Sequence, residues 1–534
     1  MQKINKYILP VIAGLIVLAG LLIRLYHISD NQFLFYDEGM YLGYNRTFLN
    51  LVANNPAHDL NELGIILSLM LKTALATAKA LWFFILNLRV FVLGPEAWFF
   101  ARWVSAISGI GTVILLYFWS RRYLNSQRIA VLSALILLVL PSHVFYSRLG
   151  MQEALSALLF LSAIYLYMSK ERISWLFFVS VFMLACVFFT NYRMIIAPVF
   201  IAFIECFKAF TITKKLNWQK TAIYFLAFYG LVISVGSLYG GVNNQVTFAW
   251  MFHQAQDAGG KFNFVNFLSY PYYIFVLEGF FFALIFWASI FLSLSREYSK
   301  ILAFGMVLLQ MLIFSFAAEK GARYLCVVLP FMAVAAATVI DLCWRQWPGR
   351  QARIVIIAVC VLGLAKMIFL SGSIALASTD YEKAVRFITN RDPQAVIVST
   401  QPLVEGLFLN DDKRIHSCPN DLYSLVSLYK QGARYLILDP QAYITWTSDG
   451  RRFSPPLDDF LETALKDVQP LQVFPHLNQG LLNRFVLDHN EQIIDSMTFL
   501  SRSQSMHYGE IKIYDLGSVF SALQYEHKQA SLLN

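Results

Sequence analysis

Long apolar runs broken by short polar or basic connections fill the chain from Tyr7 to about Ser373. A bilayer core about 30 Å thick takes roughly 20 apolar residues per helical crossing. Runs of that kind read at about 7–26, 98–119, 129–146, 152–168, 173–190, 194–210, 221–240, 271–294, 301–317, 322–342 and 353–373. The pattern predicts a polytopic α-helical membrane protein with about 11 transmembrane helices. Beyond residue 378 the pattern changes. Helical periodicity at 381–390, 422–432 and 457–466 alternates with short apolar runs at 395–400 (AVIVST), 435–439 (YLILD), 471–474 and 510–515 (EIKIYD), which read as strands. That alternation predicts a small C-terminal α/β soluble domain. The expected division is therefore a transmembrane domain over 1–377, with a first outer loop at 27–97, followed by an extracytoplasmic domain over 378–534.

Charge sets the expected topology. The first run follows Lys3 and Lys6, exceeds the length of a signal-peptide core and lacks a small-residue cleavage site, so it reads as a retained helix with a cytoplasmic N-terminus. Every second connection is basic: Arg121, Arg122 and Arg128; Lys170 and Arg172; Lys208, Lys214, Lys215 and Lys220; Arg296 and Lys300; Arg345, Arg350 and Arg353. Such an alternation marks the cytoplasmic side. The stretch 63–93 is interrupted by Lys72, Lys79 and Arg89, and parity places both its ends outside, so it reads as interfacial amphipathic helices. The loop 27–97, the loop 241–270, the turns 147–151 and 318–321, and the tail then face outwards. The expected location is the prokaryotic plasma membrane with the C-terminal domain extracytoplasmic.

Composition narrows the function classes. Hydrophobic residues make up 58% of the chain and charged residues only 14%, against about 25% charged in ordinary soluble domains, which excludes a soluble enzyme of ordinary build. Lys and Arg number 42 against 33 Asp and Glu, a net charge of +9. Cytoplasmic retention of Lys and Arg accounts for that excess without a nucleic-acid partner. Of the cysteines only Cys418 lies outside the apolar region, so neither a disulfide framework nor a cysteine metal site is implied. No Gly-rich phosphate loop follows any tail strand, which argues against nucleotide binding there.

Charged residues just outside membrane helices are costly to desolvate and are the candidates for chemistry. Tyr36-Asp37-Glu38-Gly39 follows the first span. Adjacent carboxylates on a helix point in different directions, so one is able to face a reaction centre while the other caps or pairs; a plain helix start is the alternative. Arg148, Met151, Gln152 and Glu153 form a second group, with Glu153 opening a helix whose dipole favours an acid. Glu319, Lys320, Arg323 and Tyr324 form a third, with Arg193 at the same outer face. Cations gathered at one membrane face suit a lipid phosphate, although snorkelling at the interface accounts equally for any single one. Lys79, before Leu81-Trp82, and His253, in an outer loop, have comparable alternatives.

These residues in this order resemble the GT-C superfamily of glycosyltransferases that use lipid-phosphate sugars, in particular the branch of protein O-mannosyltransferases and the lipid A aminoarabinose transferase. The resemblance rests on Tyr36-Asp37-Glu38; on Phe100-Ala101-Arg102-Trp103-Val104-Ser105; on 141–153 (PSHVFYSRLGMQE); and on Gly321-Ala322-Arg323-Tyr324-Leu325 with Pro330. It covers about residues 1–375 and reaches the tail only as architecture. By resemblance Asp37 is the catalytic base, Glu153 matches the second acidic position, and Glu38 stands beside the base. Lys79, Arg148, Arg193, Lys320 and Arg323 are expected to bind the donor phosphate, and Tyr36, Tyr324 and His253 to meet acceptor or sugar. The zinc-binding branch carries an acid immediately before the lysine where this chain has Ala78; no cofactor is implied with certainty and a divalent metal is left open. The implied partners are a polyprenyl-phosphate-linked sugar donor and a glycan, lipid or protein acceptor. The resemblance implies an inverting transfer to an acceptor hydroxyl on the outer face. A polytopic transporter or flippase is the alternative class, although transporters set ionisable and broken segments at the midplane in repeated halves and this chain shows no internal repeat.

Overall fold

The computed structural model describes residues 2–30, 36–77, 79–94, 97–170, 172–213, 215–236, 267–294, 301–316, 320–409, 412–419, 421–439, 465, 468–475, 485, 488–489 and 510–521. The chain divides into two compact units: Met1–Ser29 with Asn45–Ala375, and Asp30–Tyr44 with Leu376–Asn534. The division departs from the sequence expectation in one segment. Asp30–Tyr44, expected with the membrane domain, groups with the tail because the short helix Tyr36–Gly43 packs against Pro402–Glu405.

Among the described residues the first unit is mainly helical over its expected spans. Phe100–Tyr123, Tyr192–Thr211, Trp218–Gly236, Ala322–Gln346 and Arg350–Ala375 are long and apolar enough to cross a membrane, and shorter apolar helices such as Glu153–Met168, Trp175–Thr190 and Ile301–Ser315 lie between them. The run expected as one span at 129–146 is instead two helices, Gln127–Val139 and Pro141–Arg148, bent by 57°. Pro141 explains the break. Its ring pushes Leu140 into extended backbone (φ −66°, ψ 118°), and its missing N–H leaves the Leu137 carbonyl without its helical donor.

The freed groups are satisfied from other helices. Arg24, fully buried near the end of Gln2–Leu25, donates to the carbonyls of Leu137 (3.3 Å) and Leu138 and approaches His143 Nδ1 at 2.8 Å. Gly20 permits this approach, since a Cβ there would lie 2.3 Å from Leu138 Cγ. On the other side of the break the Ser142 N–H donates to Glu278 Oε2 at 3.3 Å, so a carboxylate caps the positive end of Pro141–Arg148. Glu278 itself sits at a second break, where a π-turn over Ile274–Glu278 gives way to Gly279 at φ 92°.

The second unit is built on a five-stranded sheet. Its strands are β1 (Val396–Ser399), β2 (Ile415–Ser417), β3 (Ala433–Leu438), β4 (Gln472–Pro475) and β5 (Glu510–Asp515), in the order β2-β1-β3-β5-β4. β1 runs parallel to β2 and β3, while β5 pairs antiparallel with β3 and β4. β3 is central and buried on both faces, which its nearly continuous apolar run requires. Val398, Leu425, Leu436, Leu516 and Val519 form its core with Leu422–Lys430. That helix starts on Asp421, whose carboxylate accepts from the Ser424 N–H at 2.8 Å and is held below its usual range by that bond; it ends before Gly432 at φ 111°. The expected helix over 457–466 lies largely outside the described residues.

Candidate functional site

The acidic pair belongs to the second unit. Asp37 and Glu38 fall in the first turn of Tyr36–Gly43, where the helix dipole favours carboxylates. Glu38, Tyr41 and Leu42 are buried on one face at helical spacing, Asp37 is half-buried, and Met40 and Gly43 are exposed. The Tyr41 hydroxyl reaches Asp37 Oδ2 at 3.4 Å. The two carboxylates are thus in different environments, and Asp37 is the more accessible. Tyr36 opens the helix; its side chain lies outside the described residues.

The remaining candidates with described positions belong to the first unit, where three of them meet. The Arg193 guanidinium lies 4.8 Å from the centre of the Tyr324 ring and 5.2 Å from that of Tyr192, and Arg323 lies 5.8 Å from the Tyr324 ring. Tyr324 is held on its other sides: Phe314 stacks on it with ring centres 5.0 Å apart, and its carbonyl accepts from Gln310 Nε2 at 2.6 Å. The 3-10 turns Tyr192–Ile196 and Ala322–Val328, each leading into a helix through a proline, place these cations at helix starts. Lys320 immediately precedes the second turn, with its side chain outside the described residues.

Glu153 opens its helix buried, and Gln152 Nε2 donates to its Oε1 at 3.1 Å. The Ser105 hydroxyl donates to the Met151 carbonyl at 2.9 Å and ties this turn to Phe100–Tyr123, on which Arg102 is buried against the Trp98 ring at 4.9 Å. Arg148 ends the preceding helix, Pro141–Arg148, within electrostatic reach of Arg102. It donates to the carbonyls of Ile23, Tyr26 (2.9 Å) and Ala375 (3.3 Å), joining the C-terminal ends of Gln2–Leu25 and Arg350–Ala375. Lys79 is half-buried at the start of Ala80–Asn87. His253 lies outside the described residues, and among the described residues no group of three or more His, Cys, Asp or Glu is arranged to hold a metal.

Two residues that sequence reasoning did not single out join this neighbourhood. Tyr146, fully buried on Pro141–Arg148, is within electrostatic reach of Glu153, Glu278 and Arg323. Glu278 carried a legible signal: a single carboxylate in the run Ile274-Phe275-Val276-Leu277-Glu278-Gly279, where an apolar surround makes any charge expensive. Tyr146 lies within the 141–153 motif, but a tyrosine in an aromatic-rich helix reads there as packing.

Residues 79–239 match the family model described as dolichyl-phosphate-mannose-protein mannosyltransferase. Among solved structures the chain is similar to ArnT from Cupriavidus metallidurans bound to undecaprenyl phosphate, with a TM-score of 0.53 at 13% identity over 81% of this chain and 93% of that one. It is also similar to the oligosaccharyltransferase of Archaeoglobus fulgidus in the apo form, with a TM-score of 0.55 at 11% identity over 83% of this chain and 71% of that one. The same archaeal enzyme, AglB, in complex with an inhibitory peptide and a dolichol-phosphate matches at a TM-score of 0.55 and 11% identity over 85% and 72% of the two chains. The chain shares its fold with these structures. No curated protein matches it. The family match encloses Lys79, Arg148, Glu153 and Arg193 and leaves Asp37 and Arg323 outside it.

Proposed function

We propose that this integral membrane protein is a glycosyltransferase that moves a sugar from a polyprenyl-phosphate-linked donor to an acceptor hydroxyl on the outer face of the membrane, with inversion. The observation that carries this reading is the pair of guanidinium groups, Arg193 and Arg323, gathered at the Tyr324 ring. Guanidinium groups bind phosphate oxygens in a fixed, bidentate geometry. The GT-C fold and a structural neighbour bound to undecaprenyl phosphate support the same ligand class.

In the proposed reaction the acceptor oxygen attacks the anomeric carbon while the bond from that carbon to the phosphate oxygen breaks. The electron pair stays on the phosphate, which leaves as a stable anion. Cations near the phosphate are therefore of more use than a general acid, and this is the role of Arg323 and Arg193, with Lys320 and Lys79 as further donor contacts. Asp37 accepts the proton of the acceptor hydroxyl, Glu38 is its buried neighbour, and one base with one attack inverts the carbon. Glu153, fixed by Gln152, is the second acidic group, and Tyr36, Tyr324 and His253 are assigned to sugar or acceptor. Arg148, bonded to three helix-terminal carbonyls, serves the donor site by holding the helices on which it depends.

The test is to incubate the purified chain with a polyprenyl-phosphate sugar and fractions of a cell-envelope extract, and to follow released polyprenyl phosphate by mass spectrometry. Acceptor-dependent release supports the proposal. An intact donor that is instead moved across the bilayer of reconstituted vesicles contradicts it and indicates a flippase.

A further inference from the structure

A close backbone approach joins the helix that carries Asp37 to the tail. A Cβ on Gly39 would lie 2.6 Å from the Leu403 carbonyl oxygen, 2.9 Å from its carbon and 3.0 Å from Val404 Cα. All three atoms are backbone, so no side-chain rotation relieves the clash. Gly39 is itself buried between Glu38 and Tyr41, on the face that packs against Pro402–Glu405 and the following turn Gly406–Phe408. That face leads directly out of β1 (Val396–Ser399), a strand paired on both sides within the sheet. The sheet is therefore a rigid mount, and Gly39 is the point at which Tyr36–Gly43 seats on it.

We infer that Gly39 is a positioning residue for Asp37, and that the C-terminal unit takes part in the reaction by fixing the helix that bears the base. The inference rests on the proposed function and goes beyond it by giving the tail a task. A second glycine on the same helix supplies a control: a Cβ on Gly43 would meet nothing within 4 Å. Both substitutions replace glycine by a better helix former, so a difference between them reports the contact and not helix propensity. Displacing a catalytic group by about 1 Å typically costs on the order of 10²-fold in rate.

The experiment compares the full-length wild type with Gly39→Ala, Gly39→Val and Gly43→Ala in detergent. It measures turnover and KM for a polyprenyl-phosphate sugar, and hydrogen exchange of the 36–43 amides and of the β1 and β3 amides. The expected result for Gly39→Ala is faster exchange at 36–43, unchanged protection of β1 and β3, and a kcat lowered about 10- to 100-fold at unchanged donor KM, with a larger loss for Gly39→Val. Gly43→Ala should match the wild type in all of these. Wild-type exchange at 36–43 in Gly39→Ala overturns the seating contact. Faster exchange with wild-type kcat overturns the positioning role. A wild type that transfers no sugar while Gly39→Ala still loosens 36–43 overturns the proposed function and leaves the seating contact standing.

Discussion

Burial acts most directly on chemistry at Glu405. Its carboxyl is buried in the second unit and pushed well above the usual carboxylate range, mainly by loss of hydration; the neighbouring Asp439 adds to the rise. The folded chain therefore keeps a proton that the unfolded chain releases once the pH passes the ordinary carboxyl value. The stability contributed by the protonated form is fully present below that value and is lost as pH rises towards the folded one. Glu405→Gln should remove the loss: protection of β1 and β3 amides in the variant should match the wild type near pH 4 and exceed it at pH 8, by up to about tenfold for each pH step separating the ordinary carboxyl value from the folded one. Equal pH profiles would show that Glu405 does not titrate alone. At the cationic cluster, Arg323→Ala should weaken polyprenyl-phosphate binding about tenfold or more while the detergent-solubilised chain keeps its melting temperature. Unchanged binding would remove Arg323 from the site. The residue types at these positions were legible in the sequence, because charge beside apolar runs stands out. Their grouping comes from the fold: Arg193 and Arg323 come together at the Tyr324 ring, whereas Arg148 is bonded to helix-terminal carbonyls, an outcome decided by where distant helices end.

Elements were legible where periodicity ran uninterrupted. The expected strands at 395–400, 435–439 and 510–515 coincide with β1, β3 and β5 to within a residue or two, because β-branched and aromatic runs bounded by turns leave few alternatives. The short edge strand β2, Ile415-His416-Ser417, has no apolar run to announce it; its pairing comes from β1. The break at Pro141 was visible as a residue but was read through as one span, since hydropathy does not register a missing donor. Close helix packing in the first unit depends on small residues in the same hidden way. A Cβ on Gly109 would lie within 2.7 Å of both Oγ and Cβ of Ser147, so the Ser147 side chain of Pro141–Arg148 occupies the space that a side chain on Phe100–Tyr123 would need. Gly109→Val should cost roughly 1–3 kcal/mol, read as a lower melting temperature in detergent. Adding Ser147→Gly should recover part of the loss, and no recovery would place the strain elsewhere.

At the scale of the whole molecule, the change of pattern near residue 378 lies close to the boundary between the helical unit, which ends at Ala375, and the sheet-based unit. The membership of Asp30–Tyr44 was not legible in the sequence, because it depends on a contact between residues far apart in the chain. The proposed sidedness is open to direct measurement. Tyr423 is 85% exposed, so Tyr423→Cys in intact cells should react with a membrane-impermeant maleimide, and Arg121→Cys, in a connection assigned to the cytoplasm, should react only after permeabilisation. The reverse pattern would overturn the topology. The central claim, transfer of a sugar from a lipid phosphate with Asp37 as base, is tested most directly by following a labelled sugar from a polyprenyl-phosphate donor to acceptor with the wild type, Asp37→Asn and Glu38→Gln, with donor affinity measured separately. The account predicts that Asp37→Asn lowers turnover about 10² to 10⁴-fold at unchanged donor affinity and that Glu38→Gln is milder. Near-normal turnover by Asp37→Asn would contradict it.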